Sequence, residues 1–191
     1  VERPFIPAEL VFGARGTFFA RTLDVDMPTT VDCMVQAAKH QGASVIECLV
    51  NCVIFNNGTH NWIADREMRT ERSIVLHHGE KMIFGKNQDK GLALDYSQGI
   101  IPQLIVVHAD DNRVLTHDAK TTDPTLHRML AMMGQEDSAA LQPLPIALGV
   151  IRMVEDSTYD MSVNQQINQV REQSKVKSFD ELTATLEQWE I

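Results

Sequence analysis

The sequence predicts an α/β fold that opens with a βαβ unit, continues through an irregular extension of hairpins and loops, and ends on a helix. Three observations predict it. Two short apolar runs, at 17–22 and 44–50, flank a segment of helical periodicity with start and stop signals. The middle third is polar, and its apolar pieces are separated by turn-forming residues. The last residues pair a capping signature with one apolar stripe.

The first 56 residues form the βαβ portion. Thr17-Phe18-Phe19-Ala20-Arg21 reads as a strand. Asp26 and Pro28 then signal a helix start, Pro losing no hydrogen bond in a first turn. Val31, Met34, Val35 and Ala38 recur at i, i+3, i+4 and i+7 and make one face of a helix over 28–41. Gly42 stops it. Ala43 to Val50 is a nearly continuous apolar run, the pattern of a parallel strand covered on both faces. Parallel strands need such a crossover.

Residues 57–191 are expected to be an extension packed on that portion. Ser73–Leu76, Met82–Phe84, Leu92–Leu94, Leu104–Val107 and Arg113–Leu115 are short apolar pieces with Gly79-Glu80, 87–91 and 110–112 as turns between them. These read as small hairpins. Asp123-Pro124 opens a short helix through Met133, and Pro145 to Val154 is another apolar strand. Ser178 and Glu181 make a capping box. Phe179, Leu182, Leu186 and Trp189 form the stripe of a last helix expected to dock on the core.

Composition limits the partners. The chain of 191 residues has 43% apolar and 23% charged residues, ordinary for a globular protein able to bury about 70% of its unfolded surface. A formal net charge of −9 argues against nucleic acid and anionic membrane, which need a basic surface. No apolar run approaches the ~20 residues of a spanning helix. The N-terminus has no signal-peptide pattern and no initiator Met, as expected of a processed chain or a fragment. Three cysteines without a secretion signal fit reduced thiols in a cytoplasm.

Sites in open α/β sheets gather past the carboxyl ends of strands. That rule selects Arg21 and Asp24 after the first strand, and Asn51, Cys52, Phe55 and Asn56 after the second. Cys52 is either a small buried apolar residue or a thiolate at a strand end. Cys48 lies within the strand and Cys33 flanks the helix stripe, and both read as packing residues. The spacing Cys33-x14-Cys48-x3-Cys52 matches no zinc pattern. Adjacent His77 and His78 point to opposite faces of a strand and do not converge on a metal. Glu47, inside an apolar run, needs a partner: it is a structural hydrogen-bonding group or a perturbed catalytic acid. No Gly-rich phosphate loop is present.

Lys39-His40-Gln41-Gly42-Ala43-Ser44-Val45-Ile46-Glu47, followed by Asn51-Cys52-Val53-Ile54-Phe55-Asn56-Asn57, resembles the β subunit of 2-oxoacid:ferredoxin oxidoreductases of the 2-oxoglutarate type. Residues 1–7, the Thr-Phe-Phe-Ala-Arg-Thr run at 17–22, Gly149-Val150-Ile151-Arg152 and the final Trp189-Glu190-Ile191 support the likeness, which is strongest over 1–57. The resemblance implies the C-terminal portion of a thiamine diphosphate-binding parallel-sheet fold. It implies oxidative decarboxylation of a 2-oxoacid such as 2-oxoglutarate to acyl-CoA and CO2, with electrons passing through a 4Fe–4S cluster to ferredoxin. The implied cofactors of the complete subunit are thiamine diphosphate, magnesium and that cluster. The implied partners are an α subunit, ferredoxin, coenzyme A and the 2-oxoacid. By the motif match Cys52 is a cluster ligand, with Asn51, Phe55 and Asn56 near the cofactor pocket. Such a cluster takes four thiolates.

The sequence departs from the family pattern in places. Val50 stands where the family has Gln. The paired Cys-Pro-x-Cys-Gly, the third Cys, and the Gly-Asp-Gly and Asn-Asn segments are absent from these residues; in the family they lie upstream. The chain alone is therefore expected to bind no cofactor, to be inactive, and to associate with itself or another chain. Val-Ile-Phe-Asn after Cys52, rather than Pro-Thr-Gly-Trp, favours the 2-oxoglutarate branch over the pyruvate branch. A non-catalytic interaction or scaffold domain on the same half-fold is the competing reading.

Overall fold

A computed structural model describes residues 5–97, 99–134 and 144–184. The chain divides into two compact units, Val1–Asp156 and Ser157–Ile191. The first opens with helix α1 (Pro7–Gly13), strand β1 (Phe18–Leu23), helix α2 (Met27–Lys39) and strand β2 (Ser44–Leu49). Helices α3 (Asn61–Ala64) and α4 (Arg66–Arg72) and strands β3 (Ser73–Leu76), β4 (Ile83–Phe84), β5 (Lys90–Asp95) and β6 (Gln103–His108) follow. Helix α5 (Thr125–Ala131) and strand β7 (Ile146–Met153) complete it.

The βαβ unit forms as the sequence predicts. β1 and β2 pair in parallel from Phe18 opposite Ser44 to Leu23 opposite Leu49. Asp26 caps α2, its carboxylate accepting from the Thr29 N–H and hydroxyl, and Pro28 sits in the first turn where no donor is lost. The four-stranded sheet has the order β2-β1-β7-β3, and β3 runs parallel to β7.

Several expectations are corrected. The main sheet is mixed rather than wholly parallel, because β7 lies antiparallel against β1. Cys48 is exposed instead of buried in the core. The reason is position: β2 is an edge strand with a neighbour on one side only, whereas β1 is central and buried along its whole length. The α2 stripe of Val31, Met34, Val35 and Ala38 faces outward. Thr30 and Cys33 are the buried residues of that helix, and Cys33 clusters with Phe18, Ala20 and Val150 with Ala37 and Ile46 against it. Periodicity identifies a stripe but not the surface that covers it. β3 belongs to the main sheet and not to a hairpin, while β4-β5-β6 do form a small antiparallel sheet. The 113–115 piece forms no strand. Helices α3 and α4 were not foreseen, since Arg66 to Arg72 has no apolar periodicity; the Asp65 carboxylate, accepting from the Glu67 and Met68 N–H groups, starts α4 instead.

The other face of β1 meets a larger core. Phe19, Ile74, Leu76, Phe84, Leu92 and Leu130 are among its members, so α1, α5 and the small sheet cover this side. Gly149 lies at φ 88°, and a Cβ there would stand 2.7 Å from the Leu76 carbonyl oxygen. Only glycine lets β7 run between β1 and β3 at that point.

Two buried polar arrangements tie the layers together. Arg21 is fully buried; its Nε donates to Glu47 Oε2 at 2.6 Å and its Nη2 to the Ala131 carbonyl at 2.9 Å. Glu47 is thus the cross-strand partner of Arg21, the structural role left open by the sequence. Arg152 donates to the carbonyls of Gly16, Thr121 and Thr122 and to His127 Nδ1 at 3.1 Å. A guanidinium only donates, so His127 Nδ1 carries no proton and its Nε2–H donates to the Asp118 carbonyl at 2.8 Å. Beside it His117 Nε2–H donates to the Val150 carbonyl at 2.9 Å. Burial holds both imidazoles below their ordinary pKa of 6.5, His117 at about 4.

The second unit holds helices α6 (Tyr159–Gln173) and α7 (Phe179–Thr183). Thr158 caps α6, accepting from the Met161 N–H. Ser178 caps α7, accepting from the Glu181 N–H, and the Glu181 carboxylate reaches back to the Lys177 N–H. Phe179 and Leu182 of the expected stripe are exposed; Leu186 and Trp189 lie outside the described residues.

Replacing Glu47 by Gln leaves the buried Arg21 guanidinium without its counter-charge, and the expected cost is about 3 kcal/mol in urea unfolding. Stability is also expected to fall as pH drops from about 6.5 towards 4. In that window the unfolded chain protonates His117 and His127 while the folded chain resists. The His117 contribution is on the order of 3 kcal/mol, and it is checked by denaturant midpoints measured across that range.

Candidate functional site

Because β1 and β2 are parallel, their carboxyl ends emerge side by side, and the loop that follows β2 folds beside the residue that follows β1. The Asp24 N–H donates to the Leu49 carbonyl at 3.1 Å, and the Asn51 N–H donates to Asp24 Oδ2 at 3.1 Å. Asn51 then closes the loop on itself: its Nδ2 donates to Asn57 Oδ1 at 3.1 Å and its Oδ1 accepts from the Gly58 N–H at 2.8 Å. Gly58 takes φ 83°, where a Cβ would press on the Asn61 side chain.

Inside this clamp lies Cys52. Asn56 N–H donates to the Cys52 carbonyl at 3.0 Å, making a tight turn. The backbone N–H groups of Phe55, Ile54 and Asn56 around this turn hold the Cys52 pKa below the ordinary thiol value. Converging N–H groups of this kind form a nest that favours an anion, here the thiolate. Cys52 is exposed, so the reading of it as a small core residue is overturned. Cys33 is the opposite case: buried, and pushed up to about 11 chiefly by desolvation.

The other residues selected by the strand-end rule divide. Asp24, Asn51, Cys52 and Asn56 come together in one loop. Arg21 does not join them, because it is committed to Glu47 inside the sheet. Phe55 is 90% exposed, and Val53 and Ile54 beside it are 72% and 81% exposed. Asn57 and Gly58 were missed as part of the clamp, although Asn-Gly is a turn dipeptide and signals a sharp reversal. His78 faces Asp118 at 3.4 Å and shares no ligand set with His77. Among the described residues no group of three or more His, Cys, Asp or Glu could hold a metal ion. As to fit, the loop offers one exposed thiol whose ionised form is favoured, and a thiolate is the donor that an iron–sulfur cluster takes from each ligand.

Comparison with curated proteins finds 2-oxoglutarate oxidoreductase subunit KorB of Mycobacterium tuberculosis, 30% identical over 172 residues. The chain is a homologue of KorB. The match covers 87% of this chain and 43% of KorB, so the chain spans less than half the length of that relative. It is therefore related to an oxidoreductase subunit, in line with the family resemblance carried by the residues around Cys52. No family model matches the chain, and no solved structure matches it. No helix among the described residues is long and apolar enough to cross a membrane.

The nest makes a kinetic prediction. At neutral pH, iodoacetamide is expected to label Cys52 well before Cys33, with the Cys52 rate rising at lower pH than for an ordinary thiol. Asn51→Ala, which opens the clamp, should move that rise to higher pH. Peptide mass mapping across a pH series reads both, and equal labelling of Cys52 and Cys33 would contradict the geometry.

Proposed function

We propose that this chain is the C-terminal part of the thiamine diphosphate-binding β subunit of a 2-oxoacid:ferredoxin oxidoreductase, and that Cys52 supplies one of the four thiolates of its 4Fe–4S cluster. The observation that carries the reading is Cys52, exposed in the loop past the carboxyl ends of two parallel strands, with backbone N–H groups that favour its thiolate. Homology to KorB supports the 2-oxoglutarate type of substrate. In the complete subunit, thiamine diphosphate with magnesium supplies the decarboxylation chemistry and the cluster carries electrons towards ferredoxin.

The residues of this chain have defined parts in that scheme. Asn51 and Asp24 hold the loop rigid, so the thiolate is positioned before any iron arrives. The N–H groups of Ile54, Phe55 and Asn56 stabilise charge on sulfur, which is one lever on a cluster's potential. Asn51, Phe55 and Asn56 form the side of the cofactor pocket that this chain contributes.

Assembly follows from the uncovered surfaces. Met27, Val31, Met34 and Val35 along α2 and Val50, Val53, Ile54 and Phe55 in the loop are exposed large apolar residues. Exposed patches of this kind mark interaction sites. They suit a β subunit that pairs with an α subunit, and the thiols suit a reducing, cytoplasmic setting.

In the complete subunit, Cys52→Ala is expected to lose or destabilise the cluster while thiamine diphosphate still binds, whereas Cys48→Ala keeps the full iron content. Iron analysis and low-temperature EPR of the reduced protein are the readouts. A full cluster in Cys52→Ala would sink the assignment and favour the interaction-domain reading.

A further inference from the structure

The outer strand β2 has a neighbour on one side only. The Asp24 N–H donates to the Leu49 carbonyl, in the register that sets Leu23 opposite Leu49. Leu49 therefore turns its backbone groups towards β1, and Glu47 and Val45, at alternate positions, do the same. Ser44, Ile46 and Cys48 turn their N–H and C=O groups the other way, out of the sheet. Among the described residues nothing hydrogen-bonds to the backbone groups of these three.

Such an edge is a template for another strand, and proteins blunt it with Pro, Lys, a bulge or a very short strand. β2 has none of these: its six residues pair with β1 without a register shift. The other edges are less open. β3 has four residues and β4 two. β6 sets Gln103 opposite Asp95 and is followed by the exposed Asp110.

Charge selects the occupant. Two copies of a chain of net charge −9 repel wherever acids face acids. In residues 40–58 Glu47 is the sole Asp, Glu, Lys or Arg, and Arg21 neutralises it. A second copy can meet this edge without bringing like charges together.

We propose that β2 pairs antiparallel with β2 of a second copy, about a twofold axis at Ile46. The hydrogen bonding is self-complementary there. Ile46 meets Ile46 of the second copy and Ser44 meets Cys48, each facing pair exchanging N–H···O=C bonds. A twofold at Glu47 would set the two Glu47 carboxylates directly opposite each other, which disfavours it. The pairing uses the backbone edge of β2 and does not depend on the cluster proposed for Cys52.

Sedimentation of the full 191-residue chain in reductant, over a concentration series, is expected to show a monomer–dimer equilibrium. Cys48→Pro removes an outward N–H and none of the bonds to β1, a change that an edge strand tolerates. It should weaken the dimer about tenfold or more, with circular dichroism reporting the retained fold. Ser44→Cys under mild oxidation should give a disulfide between the introduced thiol and Cys48 of the second copy, read by peptide mapping. Within one chain these positions stand about 13 Å apart along the strand, beyond disulfide reach. A monomer at every concentration overturns the proposal. So does a dimer that Cys48→Pro leaves unchanged, or a Ser44→Cys dimer without that cross-link. The cross-link decides the matter where Cys48→Pro fails to fold.

Discussion

A guanidinium with no access to water has to be neutralised where it lies, and Arg21 imposes that demand on the centre of the sheet. Its charge is met by Glu47 directly across the β1–β2 register and by the Ala131 carbonyl at the end of α5. Three elements are therefore held in one relation by a single side chain. A one-residue slip of β2 would turn Glu47 to the opposite face and strand the charge. Register, in turn, decides which residues leave the sheet at its carboxyl end. The Asp24–Asn51 contact and the loop that presents Cys52 follow from it.

The strand order then separates two kinds of surface. β1 is central, so its residues serve the core and its polar side chains must find partners inside. β2 is at the edge, so Cys48 and Val45 meet solvent although they belong to an apolar run. The insertion of β7 between β1 and β3 needs the glycine at 149 and brings Arg152 under the 117–127 segment. Arg152 holds that segment through the Thr121 and Thr122 carbonyls and His127 Nδ1. The segment's two imidazoles are buried, and burial keeps them neutral.

Exposed apolar side chains concentrate on the outward face of α2 and in the loop after β2. On a helix, a stripe with 3.6-residue spacing buries itself against whatever surface is available. Here the helix's own sheet is met by Thr30, Cys33 and Ala37, which are small enough to pack closely, and the larger residues are left for another surface. The spacing alone does not say which side of the helix is covered.

Local signals in the sequence determined the βαβ unit, the caps of α2 and α7, the β7 strand and the residues around Cys52. Each rests on neighbours within a few positions: Asp26 before Pro28, Ser178 before Glu181, an apolar run bounded by turn residues. What only the tertiary structure decided were relations between distant segments. These include the antiparallel placement of β7, the entry of β3 into the main sheet, the edge position that exposes Cys48, and the pairing of Glu47 with Arg21. The physical reason is the same in each case. Periodicity and capping report the energetics of one element, whereas strand order and burial depend on which elements pack together. Cys52 lies on this boundary: the sequence located it after a strand, but only the folded turn left it exposed among backbone N–H groups that favour its thiolate.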